Sequence, residues 1–478
     1  MRFRMNAAAV QALNEARRLR LPYVPNQVVV KFREGVSRDG QQRALAALRS
    51  RPSVDGLEWA GPVAVVTDLG QPNASILAQQ LREQPEVEYA EPNYLYHTMS
   101  TPNDTGYGRQ WNFDALDMAR AWDINAGASH TIIAAVLDSG VTTSDATRAF
   151  KTWNGAAIVN VAVPFAINPD LAAGRLVLPF DFAFLNGATV LDLDGHGTHV
   201  SSTVGEDTNN ALMNAGIAYN ARIMPVKVCT SYWEIQFTMS ANNVPGFTPV
   251  TEDGGCLNAT IALGIRYAAD NGAKVINISI GGPAPSTTID SALRYAVDKG
   301  VFVAISAGND FEDGNPTIYP AKYAETINGV MAVGAVGRGL KRAYYSTTGS
   351  FVEITAPGGD SRANGTDGQV FQSTLRPADA DPSTVVFPRF DRYAELGLQG
   401  TSMASPHVAG IAALLMSQLG PSATPALVEE IIKKTARVCD AGSCDPSAAR
   451  VGTVGRNDSF GVGFIQPRAA LFGRGLRK

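Results

Sequence analysis

Three short stretches hold residues whose types and spacing could do chemistry together: AVLDSGV with Asp138, LDGHGTHVSSTVG with His196 and His199, and GTSMASPHVAG with Ser402 and His407. A serine becomes a nucleophile when a base within hydrogen-bond reach takes its proton, and that base needs a third group to fix its tautomer. The chain has five histidines, so the search for the base is short. His97 falls in a polar stretch and His130 precedes a predicted strand. His196 stands between Gly195 and Gly197, which let backbone and ligand approach closely just before a predicted helix. Asp138 ends the apolar run IIAAVL and precedes Ser-Gly, which places it at the carboxyl edge of a buried strand. Each residue also has a plain structural reading: a turn-forming Asp, a turn His, a serine that caps a helix.

Ser402 needs small neighbours and a helix start. Gly400 and Ala404 leave room for substrate, Pro406 fits an early helical turn, and AGIAALLMSQL would bury the helix in the core. The helix N-terminus then favours the negative charge that attack on a carbonyl creates. His407 is expected as a packed residue, not a second base.

From about residue 130 the runs HTIIAAVLDSG, ARIMPVKVC, AKVINISIGG, VFVAISAGN, NGVMAVGAV and FVEITAPG each read as a strand buried on both faces. LNATIALGIRYAADNG and DSALRYAVDKG between them have helical spacing and end in glycine. The pattern predicts an α/β fold with a parallel sheet between layers of helices, ligands gathering at the carboxyl ends of the strands. Gly358 to Phe387 reads as a long surface loop. Residues 26–97 form a separate α+β unit, NQVVVKF and VEYAEPNYLY being its first and last strands. Residues 98–110 read as an exposed linker.

The motifs AVLDSGV, DGHGTHV and GTSMASPHVAG resemble those of the subtilisin-like serine proteases, the subtilase family, and the resemblance covers most of residues 110–470. It implies a serine endopeptidase working through an acyl-enzyme, with Asp138, His196 and Ser402 as the triad. AISAGND resembles the family's oxyanion segment, which makes Asn309 the side-chain donor. ISIGG resembles the strand that pairs with an extended substrate, through Ser279, Ile280 and Gly281. In TIYPAKY, Ile318 falls where relatives have a small residue at the base of the primary pocket, so large aromatic P1 residues are disfavoured. Asn210 falls where the family's strong calcium loop supplies an Asn side chain, so structural calcium is expected there. After AVLDSGV, however, TTSDATRAF replaces the usual calcium-bearing turn. Thr230 to Gly255 is longer than in simple relatives and is expected to modify the cleft edge.

The same resemblance makes residues 26–97 a ferredoxin-like propeptide that assists folding and then inhibits. It divides the chain into an N-terminal arm (1–25), the propeptide, a linker with the processing site (98–110) and a three-layer catalytic domain (111–478). Substrates are proteins or peptides, and the propeptide is an intramolecular inhibitor.

A formal charge of −4 gives no footprint for nucleic acid or an anionic membrane, and no apolar run approaches the roughly 18 residues that span a bilayer. A monomer is expected. Cys229, Cys256, Cys439 and Cys444 permit two disulfides through three pairings, and pairing within each local couple staples two surface loops. The alternative is four reduced thiols. Disulfides imply a secreted or periplasmic protein whose signal sequence lies upstream of MRFRMNAAAVQALNEARRLR; reduced thiols imply a cytoplasmic one. Two rivals differ in class. A zinc hydrolase using Asp194, His196 and His199 leaves the serine motif unexplained. A non-catalytic binding protein on the same fold usually loses a triad or oxyanion residue, and none is lost here.

Overall fold

The computed structural model describes residues 16, 23–68, 70–71, 73–94, 101–247, 254–376, 387–439, 444 and 455–472. The N-terminal arm, apart from Ala16 and residues 23–25, lies outside the described residues, as does the stretch 95–100. The chain forms two compact units, Met1–Thr98 and Met99–Lys478.

In the first unit, β1 (Tyr23–Phe32), β2 (Glu58–Ala60), β3 (Val63–Thr67) and β4 (Val87–Tyr94) form an antiparallel sheet in the order β2-β3-β1-β4. Alternation decides its inner face: Val28, Val30 and Phe32 of β1 point into one core with Leu45, Leu77 and Leu81 of the helices Arg38–Leu45 and Ala74–Arg82. Ser37 and Asn73 cap these helices by accepting from backbone N–H groups.

The second unit is built on a parallel sheet of seven strands. In chain order its members are β5 (Ile133–Asp138), β8 (Phe180–Asp181), β9 (Arg222–Lys227), β12 (Val275–Ile278), β13 (Phe302–Ser306), β14 (Val330–Val336) and β15 (Ile354–Pro357). Their spatial order is β15-β14-β13-β12-β5-β9-β8. Every apolar run read from the sequence is in it; β8 is an added two-residue edge. Ala134 and Val136 of β5 enter one core with the helix Thr401–Leu419, while Ile133, Ala135 and Leu137 enter a second core with the helices Asn258–Asp270 and Thr287–Asp298. The period of two thus fills both faces, giving three layers.

Three additions ring the carboxyl edge. β6 (Ala146–Trp153) and β7 (Ile158–Phe165) form a hairpin where the sequence reading saw only a departure from the usual turn. β10 (Cys229–Thr230) and β11 (Gly255–Cys256) close an insert containing the helix Tyr232–Ala241. β16 (Val370–Leu375) and β17 (Tyr393–Leu398) form another hairpin. Phe165, Trp233, Phe237 and Leu375, drawn from all three, share one small core.

Two expectations need correction. The stretch 358–387 is not all loop: β16 is buried along its whole length. The linker expected to reach residue 110 has ended by Asp104, which is buried and accepts from the N–H groups of Asn209 and Asn210, while Gln110 is buried and donates to the Ala215 carbonyl.

Candidate active site

Parallel strands deliver their carboxyl ends to one edge, and the expected chemical residues collect there. Asp138 is the last residue of β5, buried, with Oδ1 2.7 Å from His196 Nδ1 and accepting the Ser139 N–H at 2.7 Å. His196 begins the helix His196–Gly205, entered through Gly195 at φ +105°, a left-handed turn that suits glycine. The next residue, Gly197, lies so close to the Asp138 loop that a Cβ there would stand 2.4 Å from the Gly140 carbonyl oxygen.

Ser402 is the second residue of the helix Thr401–Leu419, whose side chains are buried almost throughout. Its backbone N–H lies in the first turn, where no carbonyl four residues back is available inside the helix. Asn309 follows β13. Its Oδ1 accepts from both the N–H and the hydroxyl of Thr401 at 2.9 Å, which leaves Nδ2 as the outward donor beside Gly400. Ser279, Ile280 and Gly281 follow β12.

Ile318 is buried, and its side chain occupies the space that Gly281 and Gly308 leave: a Cβ on either glycine would stand 2.7 Å or 2.5 Å from it. Gly282 and Tyr319 exchange backbone hydrogen bonds of 2.8 Å, which hold this crevice together.

Electrostatics separates the histidines. Burial disfavours a charged His196, but the charge and hydrogen bond of Asp138, helped by Asp194 and Asp192, outweigh it and push the imidazole up to about 9. His407 is pushed down to about 4 by burial and sits between the Met403 carbonyl and Asn112, each at 2.8 Å. It is the packed residue expected. His199 is likewise driven down, to about 3, by burial first and by His196. Its Nε2 faces the Val370 and Leu396 carbonyls at 3.1 and 3.2 Å, so that nitrogen carries a proton and is no zinc ligand.

Asn210 donates from Nδ2 to Asp170 at 2.6 Å and accepts the Leu212 N–H on Oδ1 at 2.9 Å. Around it lie buried Asp104, Asp170, Glu206 and Asn214. Both amide atoms of Asn214 lack hydrogen-bond partners, and the Glu206 carboxyl, raised well above its ordinary value by burial and then by Asp170, faces that aspartate. Burial pushes Asp170 up to about 6. Among the described residues, no three His, Cys, Asp or Glu side chains are grouped to hold a metal. Disulfides join Cys229 to Cys256 and Cys439 to Cys444.

Several residues that hold the site escaped the sequence reading. Asn277 donates to the Ser279 hydroxyl at 3.0 Å and accepts from the Ser405 hydroxyl at 2.8 Å, which ties β12 to the serine helix. A lone Asn inside the apolar run VINI was the available signal, since a buried amide must find partners. Asp192 accepts from the N–H groups of Asp194, Gly195 and Thr198 and so shapes the turn before His196.

Comparison with known proteins gives the family. A family model described as "Subtilase family" matches residues 129–463, and one described as "Fervidolysin N-terminal prodomain" matches residues 10–93. The chain is similar to the "Thermophilic serine proteinase" of Bacillus sp. (strain AK1), 34% identical over 397 residues, covering 83% of this chain and 79% of that one. It is also similar to the "Extracellular protease" of Xanthomonas campestris pv. campestris, 32% identical and covering 81% and 64%. Among solved structures, a protease from Pseudoalteromonas arctica superposes with a TM-score of 0.56 at 29% identity, over 78% of this chain and 99% of that one. Fervidolysin from Fervidobacterium pennivorans shares the fold at a TM-score of 0.52 and 22% identity, over 94% and 61%. No helix among the described residues is long and apolar enough to cross a membrane. With an enzyme match on the second unit and a prodomain match on the first, this chain belongs to the subtilase family of serine endopeptidases and carries an N-terminal propeptide domain.

Proposed function

We propose that Ser402, His196 and Asp138 carry out peptide hydrolysis as nucleophile, base and orienting carboxylate. The observation that carries this reading is the 2.7 Å bond between His196 Nδ1 and the buried Asp138, which leaves Nε2 as the nitrogen able to accept a proton. The Ser402 hydroxyl now donates to the Ser279 carbonyl at 3.3 Å; a side-chain rotation turns it toward His196. Oγ attacks the scissile carbonyl while the proton passes to Nε2. The oxyanion takes hydrogen bonds from Asn309 Nδ2 and the Ser402 N–H. His196 then protonates the leaving amine, and water repeats the sequence on the acyl-enzyme.

Ser279, Ile280 and Gly281 pair with the extended substrate backbone, and Ile318 closes the primary pocket to large side chains. Residues 26–97 inhibit the enzyme until the chain is cut near the linker. A structural calcium ion would be held by Asp104, Asp170 and the exposed Asn210, hard oxygen donors beside buried Glu206, where a cation would offset the carboxylate charge. When bound it supplies rigidity to this loop and no catalytic step. The two disulfides, and the likeness to an extracellular protease of Xanthomonas campestris, support export of the protein; we read the exported enzyme as a monomer.

Intact mass over time, for the wild type beside Ser402→Ala, tests the reading. Loss of about 100 N-terminal residues, the size of the proposed pro-region, in the wild type alone supports it; equal cutting of both chains sinks it.

A further inference from the structure

Lys227, the last residue of β9, is the Cα partner of Asp138 across the β5–β9 ladder, and its side chain is fully buried. A buried ammonium needs partners. Nζ donates to the Ser139 carbonyl, one residue beyond Asp138, and pairs at 2.7 Å with Oε1 of Glu234, whose side chain is equally buried. Burial disfavours the ammonium, but Glu234, Asp192 and Asp181 outweigh it and keep Lys227 charged.

Glu234 belongs to the insert. It stands in the first turn of the helix Tyr232–Ala241, where its Oε2 accepts the Ser231 N–H at 2.5 Å in a capping box. The Cys229–Cys256 bridge closes the insert two residues before that cap. From Ser139 the bonds continue. Its hydroxyl donates to Asp192 at 3.1 Å and accepts the Gly197 N–H at 2.9 Å. One connected set of hydrogen bonds therefore runs from the insert helix to the loops that carry Asp138 and His196.

A buried ion pair is a weak source of stability beside apolar side chains of the same size, so packing of the insert does not require one. What an apolar pair cannot do is donate to the Ser139 carbonyl. We propose that Glu234 is a positioning residue for peptide hydrolysis, acting through Lys227 to hold the Asp138–Ser139 turn where Asp138 orients His196. This rests on reading Asp138 as the orienting carboxylate.

The test measures kcat and KM per folded chain on a peptide p-nitroanilide, well below each variant's melting temperature. In Glu234→Gln, kcat is expected to fall about 10²-fold, the scale of an ångström-sized misplacement, with KM within about twofold. Unchanged kcat with a lowered melting temperature overturns the proposal and leaves the pair as a structural brace. If Glu234→Gln does not fold, Lys227→Met/Glu234→Leu takes its place: a folded double variant with lowered kcat supports the proposal, and one with full kcat overturns it. Asp138→Asn separates the two levels. If it keeps wild-type kcat, the triad reading fails; if it loses kcat while Glu234→Gln does not, only the role of Glu234 fails.

Discussion

Ser279 and Ser402 exchange hydrogen bonds: the Ser279 hydroxyl donates to the Ser402 carbonyl at 2.9 Å, and the Ser402 hydroxyl donates to the Ser279 carbonyl at 3.3 Å. The first bond exists because Pro406 stands four residues after Ser402 inside the helix. A proline has no N–H, so the Ser402 carbonyl has no helical partner and takes one from the neighbouring strand.

Removing that partner leaves a part-buried carbonyl unsatisfied. Ser279→Ala is expected to destabilise the protein by about 1–3 kcal/mol. Adding Pro406→Ala restores an N–H, so the double variant should recover part of the loss. Thermal melts of the four proteins in the cycle check this; simple additivity would remove Pro406 from the explanation.

Asn309 has one amide oxygen tied to Thr401 and a free amide donor. Asn309→Leu should lower kcat by about 10² to 10³ with little change in KM; the magnitude is the one established for such a donor in subtilisin, a member of this family. Steady-state kinetics on a peptide amide decides, and a change confined to KM would reassign Asn309 to substrate binding.

The His196 base works only when neutral, and Asp138 helps hold its folded value near 9, above the ordinary 6.5. Activity should therefore rise with pH, with the acid limb of kcat/KM displaced above 6.5 toward about 9. The linked stability runs the other way: it is fully present below pH 6.5 and is lost as pH rises through about 9. Asp138→Asn should move the midpoint of any residual activity down. A wild-type midpoint at or below 6.5 would contradict the role given to Asp138.

Ile318 fills the crevice between Gly281 and Gly308. The wild type should prefer small P1 residues, and Ile318→Ala should shift the ratio of kcat/KM for Phe over Ala by about 10- to 200-fold. The truncation costs about 2–5 kcal/mol of stability, so assays belong well below the melting temperature. A wild type that already prefers Phe would falsify this reading.

Chelation tests the calcium site. EDTA should lower the melting temperature of the wild type, and added calcium should restore it by mass action. Asn210→Ala should shrink that response, measured by calorimetry at fixed calcium. An equal response in both proteins would move the ion elsewhere.

The site was legible where chemistry falls at the ends of elements. Asp138 closes an apolar strand, His196 and Ser402 open helices, and Asn309 follows a strand, so motif and position coincide. Lys227 and Glu234 were not legible, because a lysine after an apolar run and a glutamate in a helix ordinarily face water. Only the pairing of β9 beside β5, and the insert folded against them, buries both. β16 was hidden for another reason: Gly, Asp and Pro around it suggest a loop, while its own six residues are buried against the histidine helix. The linker misled similarly, since Asp104 and Gln110 find partners more than 100 residues away.

Gly197 meets Gly140 with no side chain between them. Rotamers of larger residues hop as temperature rises, whereas two peptide groups in van der Waals contact have nothing to rearrange. The spacing of the Asp138 and His196 loops is therefore insensitive to side-chain thermal disorder. Heating should abolish the alignment only when the backbone itself lets go, so inactivation and unfolding should share one midpoint.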